Sequence, residues 1–333
     1  MGILVMYPGP SRVKKAISFE TLENVTFMKI LVATEKPFAK AAVDGIREIV
    51  EGAGYELALL EKYADKAELL AAVADADGLI VRSDKVTREV IDAARNLKIV
   101  VRAGAGYDNV DLAACTERGI VVMNTPGQNS NAVAELVVSM MIFISRNQFT
   151  PGTGAEVSGK RLGIHAYGNV GRIVARYGRA LGMSVKAFDP FVDPRQLEAD
   201  GVEAVGTVEE LYASSDYVSL HIPATAQTRG SIGYELLSGM PKGGVLINTA
   251  RKEVIDEQGL IRAFEERADL KYITDIAAEA QPLLTEKFGK RVFATPKKMG
   301  AETAEANLNA GLAAARQTVD FLKNGNRRFQ VNK

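Results

Sequence analysis

The hydrophobic positions of this chain fall into short runs that predict strands, separated by longer amphipathic stretches that predict helices. From residue 28 onward, runs such as KILVAT (29–34) and GLIVRS (78–83) show no alternation of apolar and polar residues. Strands of this kind are typical of a parallel sheet that is covered by helices on both faces. The pattern therefore predicts an α/β fold.

Two groups of strands are predicted, divided by a Gly-, Pro- and Ser-rich segment at 147–160 that is interpreted as a linker. The strands of the first group are expected at 29–34, 55–60, 78–83, 98–104 and 119–124. Those of the second group are expected at 161–167, 184–189, 217–221, 244–250, 271–276 and 291–295. The chain is thus expected to form two parallel sheets.

Helices are predicted between these strands, and two of them are informative. The most apolar run, NAVAELVVSMMIFI (131–144), carries Glu135 and Ser139 and is too short to span a bilayer, so it predicts a buried core helix. The last stretch, 301–325, has helical periodicity. Its predicted core-facing stripe is Leu308, Leu312, Ala315, Val319 and Leu322.

Composition narrows the class of protein. At 333 residues, with 47% hydrophobic and 25% charged residues, the chain is typical of a soluble globular protein of two domains. Lys plus Arg (41) equal Asp plus Glu (41), so no overall charge favours nucleic acid or a membrane surface. A single cysteine, Cys115, excludes an intramolecular disulfide and favours a reducing, cytoplasmic compartment. No metal site is predicted.

The first 27 residues precede the first predicted strand and are left as an unassigned N-terminal extension. They begin with an apolar run and continue with Pro, Gly and basic residues, which is the wrong order for a secretory signal. Met28 is an alternative start.

A nucleotide-binding turn is predicted where Gly168, Asn169, Val170 and Gly171 join a strand to an amphipathic helix. The dinucleotide fingerprint G-x-G-x-x-G would place its first glycine at position 166, where this chain has alanine. The second glycine lets the backbone approach a pyrophosphate, and the third lets helix and strand pack closely. The N-terminus of the helix favours an anion.

Asp189 at the end of the following strand strengthens this prediction. A carboxylate there can accept hydrogen bonds from the adenosine ribose, and it would repel a 2′-phosphate, so NAD is favoured over NADP. The alternative is a parallel-sheet protein without a nucleotide, since a turn with two glycines is a weak signal on its own.

Four segments closely resemble the D-2-hydroxyacid dehydrogenase family, and within it the phosphoglycerate dehydrogenases. The most specific is residues 79–142, followed by VSLHIPATAQTRGSI (218–232), VLINTARKEVIDEQGLIRAF (245–264) and ATPKKMGAETAEAN (294–307). The last three are similar to the family's H-x-P-x-T-x-x-T, N-T-A-R-G and T-P-H segments. The resemblance covers roughly residues 28 to 330.

The resemblance implies two Rossmann-like, doubly wound parallel-sheet domains with the active site in the cleft between them. A discontinuous substrate domain of 28–125 and 302–333 and an NAD domain of 126–301 are expected. A homodimer joined through the NAD domains is also implied, although the usual long loop before the fingerprint is reduced here to 147–160. The chain is expected to be a short form without C-terminal regulatory domains.

On the cofactor side, the resemblance adds residues beyond the turn and Asp189. They are His221, Pro223, Thr228, Asn248, Thr249 and Asp275. Asp275 opens the segment DIAAEAQPL (275–283) and would hold the nicotinamide amide. His165 stands where the family has an apolar residue, so it is interpreted as a packed histidine.

On the substrate side, a turn of small residues offers backbone N–H groups to a carboxylate, and two strand-end residues match positions that hold the 3-phosphate in phosphoglycerate dehydrogenases. The turn is Gly104, Ala105 and Gly106, followed on the same loop by Asn109; the strand-end residues are Arg82 and Ser83. A charged strand terminus without a ligand is the alternative for Arg82 and Ser83.

Arg251 matches the family's catalytic arginine, whose planar guanidinium can grip a carboxylate and polarise the C2 oxygen. The family's acid/base is a histidine paired with a glutamate, and here lysine replaces it. Counting back from the Gly-Ala step gives Lys298, which is favoured; counting forward from Thr-Pro gives Lys297. Glu279 lies one position early for the paired glutamate.

A free lysine, with a pKa of about 10.4, is a poor base at neutral pH. Burial beside Arg251 would lower the pKa and make a lysine competent. Two solvated loop lysines are the alternative interpretation.

The function that the resemblance implies is NAD-dependent oxidation of 3-phospho-D-glycerate to 3-phosphohydroxypyruvate in L-serine biosynthesis. Two alternatives stay open. One is a dehydrogenase of another 2-hydroxy acid, such as glycerate, glyoxylate or D-lactate. The other is an NAD-binding regulator that has lost the chemistry.

Overall fold

The computed structural model describes residues 28–332, and its strands form two separate parallel sheets. The N-terminal extension of residues 1–27 lies outside the described residues. The first sheet contains β1 (Lys29–Thr34), β2 (Glu56–Glu61), β3 (Gly78–Val81), β4 (Ile99–Arg102) and β5 (Val121–Asn124). Its strand order is β2-β1-β3-β4-β5, with every neighbouring pair parallel.

The second sheet is larger and follows the 147–160 segment. It contains β6 (Arg161–His165), β7 (Ser184–Phe188), β8 (Glu203–Ala204), β9 (Tyr217–Leu220), β10 (Val245–Asn248), β11 (Lys271–Thr274) and β12 (Val292–Ala294). The order is β12-β11-β10-β9-β6-β7-β8, again all parallel. Strand order reverses between β1 and β3 in one sheet and between β6 and β9 in the other, which are the positions where doubly wound sheets bind ligands.

Helices connect the strands and cover both faces of each sheet. In the first half they are α1 (Lys40–Gly52), α2 (Lys66–Val73), α3 (Arg88–Ala93) and α4 (Leu112–Glu117). Then follow α5 (Ser130–Ser145), α6 (Asn169–Ala180), α7 (Pro194–Ala199), α8 (Val208–Ala213), α9 (Tyr234–Ser238), α10 (Glu257–Glu266), α11 (Gln281–Phe288) and α12 (Ala304–Asn324). The predicted fold class, two parallel-sheet α/β domains, is confirmed.

The chain crosses between the sheets twice. Helix α5, the predicted core helix, packs with the second sheet through Val137, Met141 and Ile144. Helix α12 returns to the first sheet, where it packs beside α1. Among the described residues, no helix combines the length and the apolarity that a membrane crossing requires.

All five residues of the predicted stripe of α12 pack on the core, but only Ala315 is fully enclosed, while Leu308, Leu312, Val319 and Leu322 are partly buried at its edge. Ala314, outside the predicted stripe, is also fully enclosed. A Cβ at Gly311 would lie 3.1 Å from the Phe38 ring. Small residues therefore bring α12 close to α1, a feature that hydrophobic periodicity does not reveal.

Candidate active site

The candidate site lies where the carboxyl ends of the two sheets face each other. Arg251 follows β10 of the second sheet, and its Nη2 lies 3.7 Å from Oδ2 of Asp108 in the loop after β4. A Cβ at Gly106 in the same loop would lie 2.8 Å from that Nη2. The structure thus brings the predicted arginine and the predicted small-residue turn together across a cleft.

The nucleotide-binding turn begins helix α6, with Gly168 as the N-cap and Asn169 and Val170 in its first turn. A Cβ at Gly168 would meet nothing within 4 Å, so the backbone faces open space. A Cβ at Gly171 would lie 2.3 Å from the carbonyl oxygen of Ala166. The two glycines therefore have the open approach and the close packing that the fingerprint requires.

The missing first glycine has a measurable consequence. Ala166 has a φ of 79°, in the left-handed region where a side chain is strained. Its N–H donates to the carbonyl of Phe188 at 2.9 Å, which holds the turn against β7. The chain keeps the backbone conformation of the fingerprint and bears the strain of an alanine in it.

Asp189 is oriented by the backbone on both sides. Its Oδ2 accepts a hydrogen bond from the N–H of Tyr167 at 2.8 Å, and its Oδ1 accepts one from the N–H of Phe191 at 2.9 Å. Each carboxylate oxygen keeps further acceptor capacity. The carboxylate lies at the end of β7, beside the turn, where the ribose of a dinucleotide would be expected.

Both histidines of the chain lie at the ends of neighbouring strands. His165 ends β6 and is buried, with Nδ1 3.4 Å from the hydroxyl of Tyr212, and burial lowers its pKa to about 4. Burial lowers the pKa of His221 to about 3, and its enclosed Nε2 has no partner among the described residues. Both rings are therefore neutral at physiological pH.

The loop after His221 is ordered by its own side chains. The hydroxyl of Thr228 donates to the carbonyl of Pro223 and accepts from the N–H of Thr225, the latter at 2.8 Å. Pro223 and Thr228, two of the three predicted residues of the H-x-P-x-T-x-x-T segment, thus shape the loop after β9.

Asn248 fixes the turn that carries the arginine. Its Nδ2 donates to the carbonyl of Arg251 and its Oδ1 accepts from the N–H of Ala250, both at 3.0 Å. The hydroxyl of Thr249 is buried and has no partner among the described residues. Nη1 of Arg251 donates to the carbonyl of Ala250 at 2.9 Å, while Nη2 faces Asp108 across the cleft.

Asp275 links the cofactor side to the lysine loop. Its side chain is almost fully buried, and its Oδ2 accepts hydrogen bonds from the N–H groups of Met299 and Gly300, at 3.3 and 2.8 Å. Burial raises the pKa of this carboxyl above its usual value. Oδ1 has no partner among the described residues. A buried acceptor with a free lone pair suits the amide of a nicotinamide.

The two candidate lysines have different surroundings. Lys298 extends towards the cationic side of the cleft, where partial desolvation and then Arg251 lower its pKa, with a smaller lowering from Arg102. The residue itself is exposed, so the desolvation reflects crowding by the walls of the cleft rather than full enclosure. Lys297 is exposed, and its carbonyl accepts from the hydroxyl of Thr295 at 2.8 Å.

Glu279 is not brought to this group. Its side chain is 82% exposed and pairs with Lys252 at 3.1 Å. Its backbone N–H donates to Oε1 of Glu257 at 2.8 Å. Within the described chain no hydrogen bond or ion pair joins Glu279 to either candidate lysine, because the glutamate lies out of register with the family segment.

The phosphate-binding candidates lie after β3. The guanidinium of Arg82 donates to the carbonyls of Lys36 and Pro37, at 3.1 and 3.2 Å, and to the side chain of Asn307 in α12. Ser83 is exposed beside it. Arg82 is therefore held by a loop of the first sheet and by the returning helix.

Asn109 supports this end of the first sheet through its side-chain amide. Its Nδ2 donates to the carbonyl of Asp84 at 2.7 Å and, more weakly, to that of Arg82 at 3.4 Å. The donors of the predicted substrate-binding amide are thus used to tie two strand-end loops together.

The small-residue turn packs against a residue that the sequence interpretation missed. Gly104 has a φ of 150°, and a Cβ there would lie 1.4 Å from Nη1 of Arg102. Ala105 is exposed and accepts from Nδ2 of Asn124 at 2.6 Å. Nε of Arg102 donates to the carbonyl of Arg82 at 3.0 Å.

Arg102 joins the cationic group of the cleft. Its pKa is lowered first by burial and then by Arg82 and Arg251, so the three guanidinium groups lie within electrostatic range of one another. The exposed carboxylate of Asp108 partly offsets this lowering of the pKa of Arg102. Arg102 ends β4 and Arg82 follows β3, and this was the available signal, because the carboxyl ends of adjacent parallel strands lie next to each other.

Three comparisons agree with this geometry. A family model for the catalytic domain of D-isomer specific 2-hydroxyacid dehydrogenases matches residues 31–332. A D-3-phosphoglycerate dehydrogenase of Methanocaldococcus jannaschii is 38% identical over 276 residues, covering 78% of this chain and 52% of that protein. A hydroxypyruvate reductase of Thermotoga maritima is 36% identical over 278 residues, covering 77% of this chain and 88% of that protein.

Among solved structures, an NAD+-bound 3-phosphoglycerate dehydrogenase of Entamoeba histolytica is 52% identical, with a TM-score of 0.84 over 92% of this chain and 99% of that one. The chain spans about half the length of the curated D-3-phosphoglycerate dehydrogenases that it matches, 52% and 58% for two archaeal ones. With the family model covering nearly all of the described residues, the chain belongs to the D-isomer specific 2-hydroxyacid dehydrogenase family.

Proposed function

We propose that this protein catalyses the NAD-dependent oxidation of 3-phospho-D-glycerate to 3-phosphohydroxypyruvate, a step towards L-serine. The observation that carries the proposal is the convergence of four cationic side chains on one cleft. They are Arg82, Arg102, Arg251 and Lys298. The guanidinium groups of Arg102 and Arg251 both lie against the turn of residues 104–106, and Nε of Arg102 donates to the carbonyl of Arg82. Lys298 lies within electrostatic range of Arg251 and Arg102. A substrate with one carboxylate and one phosphate dianion complements such a group, whereas an unphosphorylated hydroxy acid would leave part of it unpaired.

NAD is the proposed cofactor, and the chain offers a complementary surface for it. The open backbone at Gly168 and the N-terminus of α6 suit a pyrophosphate, and the oriented carboxylate of Asp189 suits the ribose. The free Oδ1 of Asp275 suits the carboxamide. When bound, NAD supplies the acceptor for the hydride that leaves C2 of the substrate. We assign 126–301 to the cofactor and 28–125 with 302–333 to the substrate.

The protein side chains are proposed to bind and deprotonate the substrate. Arg251 holds the carboxylate and polarises the C2 oxygen, and Arg82 with Ser83 holds the phosphate. Lys298, in its neutral form, accepts the proton from the C2 hydroxyl. Desolvation, and then the neighbouring guanidinium of Arg251, lowers the pKa of this lysine, and a lowered pKa increases the neutral fraction that can act as a base.

The deciding experiment is NADH formation with a panel of 2-hydroxy acids. We expect 3-phospho-D-glycerate to give a much higher kcat/KM than D-glycerate or D-lactate. Equal values for the phosphorylated and unphosphorylated acids would contradict the role of Arg82, and an absence of NADH with every substrate would favour an NAD-binding regulator.

A second candidate is reduction of hydroxypyruvate or glyoxylate. The relative from Thermotoga maritima is named hydroxypyruvate reductase, and this chain covers 88% of its length. Measuring NADH consumption with hydroxypyruvate and with 3-phosphohydroxypyruvate separates the two, because only the phosphorylated acid engages Arg82.

We further propose that the protein is a cytoplasmic homodimer joined through the NAD domain. The apolar side chain of Phe149, in the short 147–160 segment, is 70% exposed and stacks edge-on against Phe143 of α5, with centroids 5.3 Å apart. Cys115 is a buried free thiol, in keeping with a reducing compartment. Light scattering over a range of concentrations tests the dimer, and a monomer at every concentration would exclude it.

A further inference from the structure

Asp84 is a buried carboxylate that the proposed reaction does not use. It follows Ser83 in the turn after β3, and its side chain is only 4% exposed. Three donors surround it. Oδ1 accepts from the N–H of Glu35 at 2.6 Å and from the hydroxyl of Tyr63 at 3.0 Å, and Oδ2 accepts from the N–H of Arg82 at 3.2 Å.

These bonds join two of the three segments that orient Arg82, the third being α12, whose Asn307 accepts from Nη2. The bond from the N–H of Arg82 fixes the turn that carries the side chain. The bond from Glu35 fixes the start of the neighbouring loop, and the next two carbonyls of that loop, Lys36 and Pro37, accept from the guanidinium. One carboxylate therefore holds both the base of Arg82 and the oxygens that orient its tip.

The same turn also reaches the rest of the cationic group. The carbonyl of Arg82 accepts from Nε of Arg102, and the carbonyl of Asp84 accepts from the amide of Asn109, at 3.0 and 2.7 Å. A shift of the turn would therefore displace two arginines relative to each other. Because Asp84 is buried without a cationic partner among the described hydrogen bonds and ion pairs, its effect is exerted through backbone geometry rather than through charge pairing.

We propose that Asp84 is a positioning residue that gives the cleft its selectivity for phosphorylated substrates by presenting the guanidinium of Arg82. The inference rests on the proposed function, since it concerns the phosphate of that substrate. A carboxylate is suited to the place because it accepts at both oxygens. An asparagine has one acceptor, and with its oxygen towards Glu35 and Tyr63 its NH2 group would oppose the N–H of Arg82.

The test compares Asp84→Asn with two reference variants. Asp84→Asn is expected to raise the KM for 3-phospho-D-glycerate by about tenfold. This is the size expected when one hydrogen bond between Arg82 and the charged phosphate is lost. The KM for D-glycerate, which has no phosphate, is expected to change by less than about twofold. Arg82→Ala removes the guanidinium altogether, so it gives the ratio of the two KM values that is expected when selectivity for the phosphate is lost completely.

Tyr63→Phe is the matched control. It removes one hydrogen bond from Oδ1 of the same carboxylate and leaves the bonds from Glu35 and Arg82. It should lower the melting temperature without changing the ratio of the two KM values. An equal change of both KM values in Asp84→Asn, or the same change of ratio in Tyr63→Phe, would contradict the positioning role.

A second readout does not depend on turnover. Inorganic phosphate is expected to raise the melting temperature of the wild-type protein, and Asp84→Asn should need about tenfold more phosphate for the same rise. If the protein oxidises no hydroxy acid, the proposed function fails, and the phosphate titration still decides about Asp84. An unchanged titration in Asp84→Asn, or a response that survives in Arg82→Ala, would overturn the inference.

Discussion

At the scale of single residues, the proposed chemistry depends on Lys298 and its cationic surroundings. Lys298 is next to Met299, whose N–H, like that of Gly300, donates to Asp275, so the backbone that carries the lysine is fixed. Its side chain lies within electrostatic range of Arg251. A lysine held in this way can exchange a proton without moving the loop. Lys297 has the same side chain without this setting.

Exchanging each lysine for alanine therefore separates them. Lys298→Ala should lower kcat by about 100-fold or more, the usual range for a general base, with little change in the affinity for NAD. Lys297→Ala, with the same loss of charge from the same loop, should stay within about twofold of wild type, since only the base is required for proton transfer. Steady-state kinetics with 3-phospho-D-glycerate provide the measurement, and the reverse ranking of the two variants would move the base to Lys297.

Residue identity predicted part of this site and geometry decided the rest. Arg251 and Lys298 were proposed because each stands in a segment that resembles one of the family, and the structure places Arg251 at the cleft, with Lys298 in electrostatic range of it. Arg102 was missed because the predicted strand 98–104 extends past it, whereas β4 ends at Arg102, and the strand order places that end beside Arg82. The register of Glu279 was visible in the sequence, but its pairing with Lys252 depends on tertiary structure.

At the scale of elements, the strand–turn–helix unit of β6 and α6 sets the cofactor side. Its two glycines differ in what surrounds them, with open space at Gly168 and the carbonyl of Ala166 at Gly171. The sequence predicted both roles from the fingerprint. It could not predict that Ala166 keeps a left-handed conformation, because a propensity argument would have placed glycine or a different turn there.

The two glycines give a matched pair of variants. Gly168→Ala should leave the free energy of unfolding unchanged and weaken NAD binding, because the new methyl group occupies the space where the pyrophosphate approaches. Gly171→Ala should lower the free energy of unfolding by about 1–3 kcal/mol, since helix and strand must separate to accommodate it. Chemical denaturation and NAD titration measure the two effects, and equal destabilisation by both variants would be inconsistent with this geometry.

The strained alanine can be tested in the same unit. Ala166→Gly should raise the free energy of unfolding by about 1 kcal/mol, because glycine adopts a positive φ without steric cost. Ala187→Gly, at a buried strand position with ordinary backbone geometry, should instead destabilise the protein. A loss of stability in Ala166→Gly would show that the turn does not hold residue 166 in the left-handed region.

At the scale of the whole molecule, two doubly wound sheets are joined by two crossings, through α5 and through the segment before α12. Hydrophobic runs predicted the number of sheets and most strand positions, because buried parallel strands carry a strong local signal. The elements that were missed, such as α9 and β8, are five and two residues long, too short for periodicity to identify. The side of the molecule to which α12 returns is a tertiary property, and it was expected from the resemblance alone.

The acid stability of the whole fold is expected to depend on the two histidines of the second sheet. Burial lowers the folded-state pKa of His165 from 6.5 to about 4 and that of His221 to about 3, so both rings are neutral in the folded protein and charge on unfolding. Below pH 6.5 the unfolded state therefore binds more protons, and stability falls as pH decreases towards 4. The loss from His165 alone is on the order of 3 kcal/mol.

Asp275 acts with the opposite sign, because burial raises its folded-state pKa, so the folded state takes up a proton first and gains stability as pH falls. A net decrease is nevertheless expected, since two histidines oppose one carboxyl. Urea denaturation of the wild type and of His165→Gln between pH 7 and about 4.5, where ordinary carboxylates remain mostly ionised, measures it. The variant should show a shallower fall in the free energy of unfolding, because glutamine can still bond Tyr212 and carries no titrating ring. Identical slopes for the two proteins would mean that His165 is solvated in the folded state and that its place under the cofactor turn is open to water.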